Sequence, residues 1–425
     1  MTTTITPAVP LPPARERVVL WLLALVQFTV IMDFMVMMPL APQLMQAFSI
    51  TPAAVSGAVS AYAWCAGISG LLASMYIDRF DRKRLQLVVF ALFTLSNLAC
   101  AMAPNFHVLV LSRAFAGLTG GVLGSIGLAI IGDLIPANRR GAATGIVMTS
   151  FSLAAVAGVP TGVGLAAHFG WASPFYLLVV FSALIWIVAW RALPTLRGHL
   201  TTPVPVAEVI PNLVGLFRVP RHLQAFLLTG MNMLTGMLVI PFISPVLVGN
   251  HGVQPGEISY VYLAGGVATL FTARAIGRWS DRTGAQKVYR YLALASIVPV
   301  LFMTHMPDLP LIAIILFFPF FMTIISGRII PLQALMTTVP EPSRRGAFLS
   351  SNSAIQQIGT GAGAWLGGLT LHADSAGHIA GYEWNGWIAA GVTLFTVLWV
   401  GRVKSAAATA SAPEPAGGAK PGQAA

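Results

Sequence analysis

Of the 13 acidic residues in this 425-residue chain, only Asp33 lies well inside an apolar run, VQFTVIMDFMVMMPL. Two arginines, Arg113 and Arg328, share that kind of setting. An ionisable group in apolar surroundings is costly, rare and usually functional. For a lone carboxylate the available chemistry is reversible protonation. Burial disfavours its charge and a nearby guanidinium favours it, so a site where the two compete can release and regain a proton. Other reactive arrangements are missing from the sequence. The eight histidines are scattered, with His107, His168, His251, His305, His372 and His378 near one set of loops and His199 and His222 in a central polar stretch. No paired carboxylates, metal-spaced ligands or Gly-x-Ser-x-Gly elbow occurs. Cys65 and Cys100 lie in apolar runs and read as packing residues. Enzyme chemistry, a bound metal and a cofactor are therefore not expected.

The elements that position these groups follow from composition. Hydrophobic residues make up 56% of the chain and charged ones 9%, against roughly 25% charged in soluble domains. So few charges cannot coat a soluble globule of this size, and lipid is the expected solvent. A spanning helix needs about 20 mostly apolar residues. Candidates fall near 18–42, 54–77, 85–104, 108–133, 142–168 and 173–193, then near 223–249, 256–277, 289–305, 309–336, 346–372 and 386–402. The two sets match an internal repeat. Asp78-Arg79-Phe80-Asp81-Arg82-Lys83 recurs 203 residues later as Asp281-Arg282-Thr283-Gly284-Ala285-Gln286-Lys287, and Pro136…Arg139-Arg140-Gly141 recurs as Pro340…Arg344-Arg345-Gly346. A duplicated unit in an apolar chain is how secondary transporters are built. The expected organisation is a cytoplasmic segment 1–17, a six-helix bundle 18–193, a cytoplasmic linker 194–222, a second six-helix bundle 223–402 and a disordered cytoplasmic tail 403–425.

Charge orients the spans. All but two of the 24 Lys and Arg fall in loops or tails on one side, the exceptions being Arg113 and Arg328. The opposite loops hold Glu257, Asp308, Asp374 and Glu383 instead. Basic loops stay cytoplasmic, so both termini are expected there. The net charge of +11 is thus a topology signal and not a nucleic-acid footprint. Depth also follows from sequence. At 1.5 Å per residue, Asp33 lies roughly 13 Å from the outer end of span one at Pro42, and Arg113 roughly 8 Å from the outer end of span four. The two can meet, which makes Asp33 the expected proton carrier and Arg113 its tuning partner. The alternative is a static ion pair between spans one and four. Arg328 lies nearer the cytoplasm, where it either binds an anionic or hydrogen-bonding substrate or snorkels to the headgroups.

The loops and spans resemble the major facilitator superfamily, within it the twelve-span drug:proton antiporter branch that includes bacterial sugar and drug efflux permeases. The second-half loop Gly277-Arg-Trp-Ser-Asp281-Arg282-Thr-Gly284 fits that family's signature Gly-x-Leu-Ala-Asp-Arg-x-Gly-Arg-Lys before losing its Arg-Lys to Ala285-Gln286. The first-half copy keeps Asp78, Arg79, Arg82 and Lys83 but has Ser74 and Asp81 where the family has Gly. Gly158-Val159-Pro160-Thr161-Gly162-Val163-Gly164 resembles the antiporter motif of span five. Arg113-Ala-Phe-Ala-Gly117 and Asp33-Phe34…Pro39-Leu40-Ala41-Pro42 resemble the family's span-four and span-one elements.

The resemblance implies an all-α polytopic fold, twelve helices in two pseudo-symmetric six-helix bundles, and alternating access driven by the proton gradient. It implies that Asp78 faces the start of span eleven near Arg345 and Gly346, that Asp281 faces the start of span five near Arg140 and Gly141, and that Arg82, Asp133 and Glu341 form an ionic cluster. Gly158, Pro160, Gly162 and Gly164 would limit leakage. A substrate cavity between the halves would draw on Met35, Tyr62, Asn232, Arg328, Asn352, Gln356 and Gln357. The methionines around Asp33 have packing as their alternative role. Glycines 359, 363 and 367 permit close helix approach. The expected function is a proton-coupled exporter of small organic compounds such as drugs, sugars or metabolites, in the bacterial inner membrane and acting as a monomer. The alternative is a nutrient facilitator or proton symporter of the same fold.

Overall fold

The computed structural model describes residues 12–136, 139–196, 211, 214–341, 344–374 and 377–406, with the side chains of 74 and 75 excepted. The expected linker lies largely outside these residues, as do most of the tail and of the N-terminal segment. The long helices are α1 (Pro13–Val36), α2 (Pro52–Tyr76), α3 (Arg82–Ala101), α4 (Phe106–Leu134), α5 (Arg140–Phe169) and α6 (Ser173–Ala192) in the first half. The second half holds α7 (Pro220–His251), α8 (Ile258–Thr283), α9 (Ala285–Thr304), α10 (Leu311–Thr338), α11 (Arg345–Leu369) and α12 (Tyr382–Arg402). Ten of these are long and apolar enough to cross a membrane. The other two, α8 and α11, have 26 and 25 residues. Their length suffices at 1.5 Å per residue, but Arg274, Arg278, Asp281 and Arg282 lower the apolarity of α8, and a Ser, Asn and Gln face lowers that of α11.

Local chemistry sets the ends. Thr51 caps α2 by accepting from the Ala54 amide at 3.3 Å, with Pro52 in the first turn, and Asn105 caps α4 by accepting from the Val108 amide at 3.0 Å. The loop between α8 and α9 is Gly284 alone, with φ +97°, a backbone region that favours glycine. Helix α1 stops at Val36 and not near 42, and a turn over 37–40 leads into a short helix Ala41–Phe48. Pro39 and Pro42 lack the amides that a continuous helix would need. In α5, residues Ala154–Gly158 widen into a π-helical turn just before Pro160, and in α10 the helix breaks at Arg328. Pro331 cannot donate to the Gly327 carbonyl there.

The packing is that of a protein wrapped in lipid. Leu398 is 79% exposed and Phe271 71%, positions that water would penalise and acyl chains accept. The α1 and α12 ends lie on one face: Glu16 pairs with Arg139 at 2.5 Å, and Gln286 at the start of α9 donates to the Val403 carbonyl. This is called the basic face, and the opposite one the far face. Near the basic face each half has its own apolar core, around Phe90 and Ile126 in the first and around Phe226 and Phe348 in the second. Toward the far face the cores are shared: Met35 and Met45 pack with second-half residues, and Ala364, Met237 and Ile240 pack with the first half. The halves meet at the far side and part at the basic side.

Candidate functional site

Asp33 in α1 and Arg113 in α4 form an ion pair, Arg113 Nη1 donating to Asp33 Oδ1, with both side chains 0% exposed. The guanidinium carbon lies 4.4 Å from the centre of the Tyr62 ring, a cation–π contact. Tyr62 in turn stacks at a tilt on Phe34, 5.4 Å between centroids. This arrangement depends on glycine. A Cβ on Gly117 would strike the Tyr62 carbonyl, and one on Gly121 would strike that of Ala66. The pair Gly117 and Gly121, four apart, lets α4 lie directly on the α2 backbone, which brings the Tyr62 ring over Arg113. Sequence reasoning placed Tyr62 in the substrate cavity; the structure buries it against Arg113 at 1% exposure. The Gly-x-x-x-Gly spacing after Arg113 was the available signal.

The pair is joined through one oxygen and one nitrogen. Asp33 Oδ2 and Arg113 Nε and Nη2 have no hydrogen-bond partner among the described residues. A fork-to-fork contact would have used both carboxylate oxygens. The single contact leaves Oδ2 available to a proton.

The second half has a different polar interior. Arg328, at the α10 break, is 2% exposed. It does not snorkel. Its Nη1 donates to Ser296 Oγ at 3.1 Å and Thr393 Oγ1 at 3.5 Å, and its Nη2 to Thr235 Oγ1 at 3.3 Å. Asn232 accepts from the Tyr289 hydroxyl at 3.2 Å. Asn352 is also buried, and its Oδ1 lacks a partner among the described residues. Gln356 and Gln357 are half-buried on α11. Met35 is half-buried against second-half residues, while Met32, Met37 and Met38 are core packing.

Among the described residues, the ion pairs of the basic-face loops lie within each half. Arg82, itself buried, bridges Asp78 at 2.6 Å and Asp133 at 2.9 Å. Glu341 is not part of that cluster: it pairs with Arg221 at 2.6 Å, and the guanidinium beside it holds its carboxyl below the usual range. The geometric reason is the parting of the halves, which leaves residues 139–142 and 344–347 exposed. Asp281, Arg282, Gly284 and Arg79 are exposed too, and Lys83 is half-buried. Neither Asp78 nor Asp281 docks across the halves in this conformation. Asp81, where glycine was expected, caps α3 by accepting from the Lys83 amide at 2.9 Å and also accepts from the Leu196 amide at 3.4 Å.

The far-face seam is close-packed. Ser60 Oγ of α2 donates to the Gly361 carbonyl of α11 at 2.8 Å. Gly266 of α8 packs on the Ala155 and Val156 backbone, in the π-helical turn of α5. In the antiporter motif, Gly158 and Gly162 face Met32 and Val36 of α1, Pro160 is half-buried, and Gly164 has open space beside it. Glycines 359, 363 and 367 lie against Gly230, Leu234 and Leu238 of α7.

Residues 23–229 and 225–423 each match the profile of the Major Facilitator Superfamily, one match per half. The chain belongs to this superfamily. Its curated relatives include a probable sugar efflux transporter of Helicobacter pylori strain P12, 25% identical over 359 residues, 84% of this chain and 87% of that one. A probable sugar efflux transporter of Mannheimia succiniciproducens is 29% identical over 220 residues, 52% of this chain and 54% of its own. The crystal structure of a D-xylose–proton symporter superposes with a TM-score of 0.73 at 16% identity, covering 89% of this chain and 96% of that one. A bacterial homologue of the human lysosomal transporter Spinster, in an inward-facing and unoccupied conformation, also gives 0.73, at 15% identity and 92% and 97% coverage. These structures share the fold. The protein is a multi-pass membrane transporter of small molecules and not an enzyme.

Proposed function

We propose that this superfamily member is a proton-coupled exporter of sugars or similar small organic solutes, working as a monomer without a bound cofactor in the bacterial inner membrane. Its basic face and both termini lie in the cytoplasm, as the distribution of Lys and Arg supports. The exposed starts of α5 and α11 then face the cytoplasm, as an inward-facing state needs to load a cytoplasmic solute. Export is supported by the names of the curated relatives and by the resemblance of Gly158–Gly164 to the antiporter motif. Proton coupling rests on one observation, the fully buried Asp33–Arg113 pair joined through a single oxygen.

The cycle follows from that geometry. With Asp33 ionised, Arg113 neutralises it and the pair joins α1 to α4. Protonation of Oδ2 removes the attraction, leaves the guanidinium on the Tyr62 face and loosens α1, whose movement opens the far side. Outward opening would bring the starts of α5 and α11 toward Asp281 and Asp78, where a carboxylate at a helix N-terminus is favourable by ~0.3–1 kcal/mol. Purified protein in liposomes with an imposed pH gradient tests this. Wild type is expected to accumulate sugar against its gradient. Asp33→Asn is expected to lose ΔpH-driven accumulation while keeping downhill sugar exchange, and accumulation that still tracks ΔpH in that variant would sink the assignment.

A further inference from the structure

Arg328 carries a full charge inside the second bundle with only neutral groups around it. The guanidinium contacts hydroxyls of three helices, Thr235 on α7, Ser296 on α9 and Thr393 on α12. None of its hydrogen-bond partners is a carboxylate. The hydroxyls do not lack partners themselves. Ser296 donates to the Ala293 carbonyl at 2.6 Å and Thr235 to the Asn232 carbonyl at 2.8 Å, so their lone pairs face the guanidinium. Arg328 Nε still has no acceptor among the described residues. Contacts of 3.1 to 3.5 Å to neutral oxygens are long for a guanidinium, which reaches about 2.7–2.9 Å with an anionic acceptor. A cation buried so deeply is costly unless a counter-charge joins it. Among the described residues no carboxylate pairs with it. It sits at the break of α10, next to Gly327, so the side chain is not held by a continuous helix turn. Its partner Thr235 is next to Leu234 on α7, which packs into the core that Met35 of the other half joins.

We infer that Arg328 is the anchor for an anionic group on the transported solute, and that the preferred substrate is a carboxylate-bearing sugar derivative and not the neutral sugar. In the empty transporter the three hydroxyls hold the guanidinium in place. On loading, a substrate carboxylate takes up Nε and one Nη in a charge-assisted fork, and the sugar hydroxyls remain for the polar groups of α7 and α11, Asn352 among them. The inference rests on the sugar-exporter reading above, from which its test separates it.

The experiment is exchange of preloaded solute in proteoliposomes, comparing glucose with glucuronate, which differ only in a CH2OH or a COO− at one carbon. Wild type is expected to exchange glucuronate about tenfold or more better than glucose. Arg328→Lys is expected to keep part of that preference. Arg328→Gln should bring the two solutes to near equality, with the ratio of glucuronate to glucose exchange falling about tenfold. Exchange of glucose by wild type with no preference for glucuronate overturns the inference and leaves the sugar-exporter reading intact. Exchange of neither solute overturns that reading, and the inference with it. A preference that survives in Arg328→Gln removes Arg328 from the role. The wild-type comparison needs no variant to fold.

Discussion

Apart from Arg82 at the basic face, each half of the molecule buries one arginine within its spans, and the halves treat it differently. The first half matches Arg113 with Asp33 and covers it with the Tyr62 ring. The second half gives Arg328 only hydroxyl groups. The difference is not drift within a repeated position. The repeat offset of about 203–205 residues puts Leu316–Phe318 opposite Arg113 and Leu123–Ser125 opposite Arg328, all of them uncharged. The two arginines therefore occupy different positions of the duplicated scaffold. In the proposed cycle one half holds a charge that a proton switches, and the other a charge that stays on. In the reading proposed here the first handles energy and the second handles the solute.

The comparison is broken most easily by removing each cation. Arg113→Met leaves Asp33 ionised and alone in an apolar interior, an expected loss of about 3–5 kcal/mol. Arg328→Met leaves no counter-ion stranded, and Ser296 and Thr235 keep their own carbonyl acceptors. Its expected cost is within about 1 kcal/mol of zero, or a gain, because an apolar residue replaces a buried charge. Thermal melting of both variants in one detergent checks this, and equal destabilisation would erase the distinction between the halves. A smaller effect is expected at the glycine seam. Gly117→Ala puts a Cβ into the Tyr62 carbonyl, an overpacking expected to cost about 1–3 kcal/mol. It would also push the Tyr62 ring off Arg113, whereas Gly124→Ala, with open space beside it, would leave stability unchanged. Melting of the two variants side by side separates close approach from helix propensity.

The smallest effect concerns the exposed charge pair Arg221–Glu341 at the basic face. Arg221 lowers the Glu341 pKa, so its contribution is present above the ordinary carboxylate range and fades as pH falls through the lowered value. Glu341→Gln is expected to shift melting only slightly at neutral pH and low salt. The difference from wild type should vanish in high salt or in strong acid, which a melting series over pH and ionic strength reads directly.

How much of this was legible in the sequence depends on whether the relevant physics is local. The starts of α2 and α4 lay close to the expected spans, because Thr51, Pro52 and Asn105 act on their own neighbours, whereas the end of α1 at Val36 was missed. The meeting of Asp33 and Arg113 was legible too, since helix rise converts residue number to depth and an isolated buried acid must find a cation. The face that Tyr62 presents was not, because it depends on how closely α4 approaches α2. The surroundings of Arg328 were not, because span position alone leaves binding and snorkelling open. The docking of Asp78 and Asp281 across the halves was beyond reach for another reason. In the proposed cycle it belongs to the outward-open state, and a sequence encodes both states.

Amino-acid order alone determined the solvent, the duplication, the sidedness of charge and the presence of one acid among apolar side chains. Those follow from transfer free energies and from periodicities along the chain. Tertiary structure decided which of Arg113 and Arg328 is neutralised, which oxygen of Asp33 stays open, and which face of the transporter is shut. Each of these depends on interhelix separation of a few ångströms, set by where glycines such as Gly117 and Gly266 allow two backbones to touch.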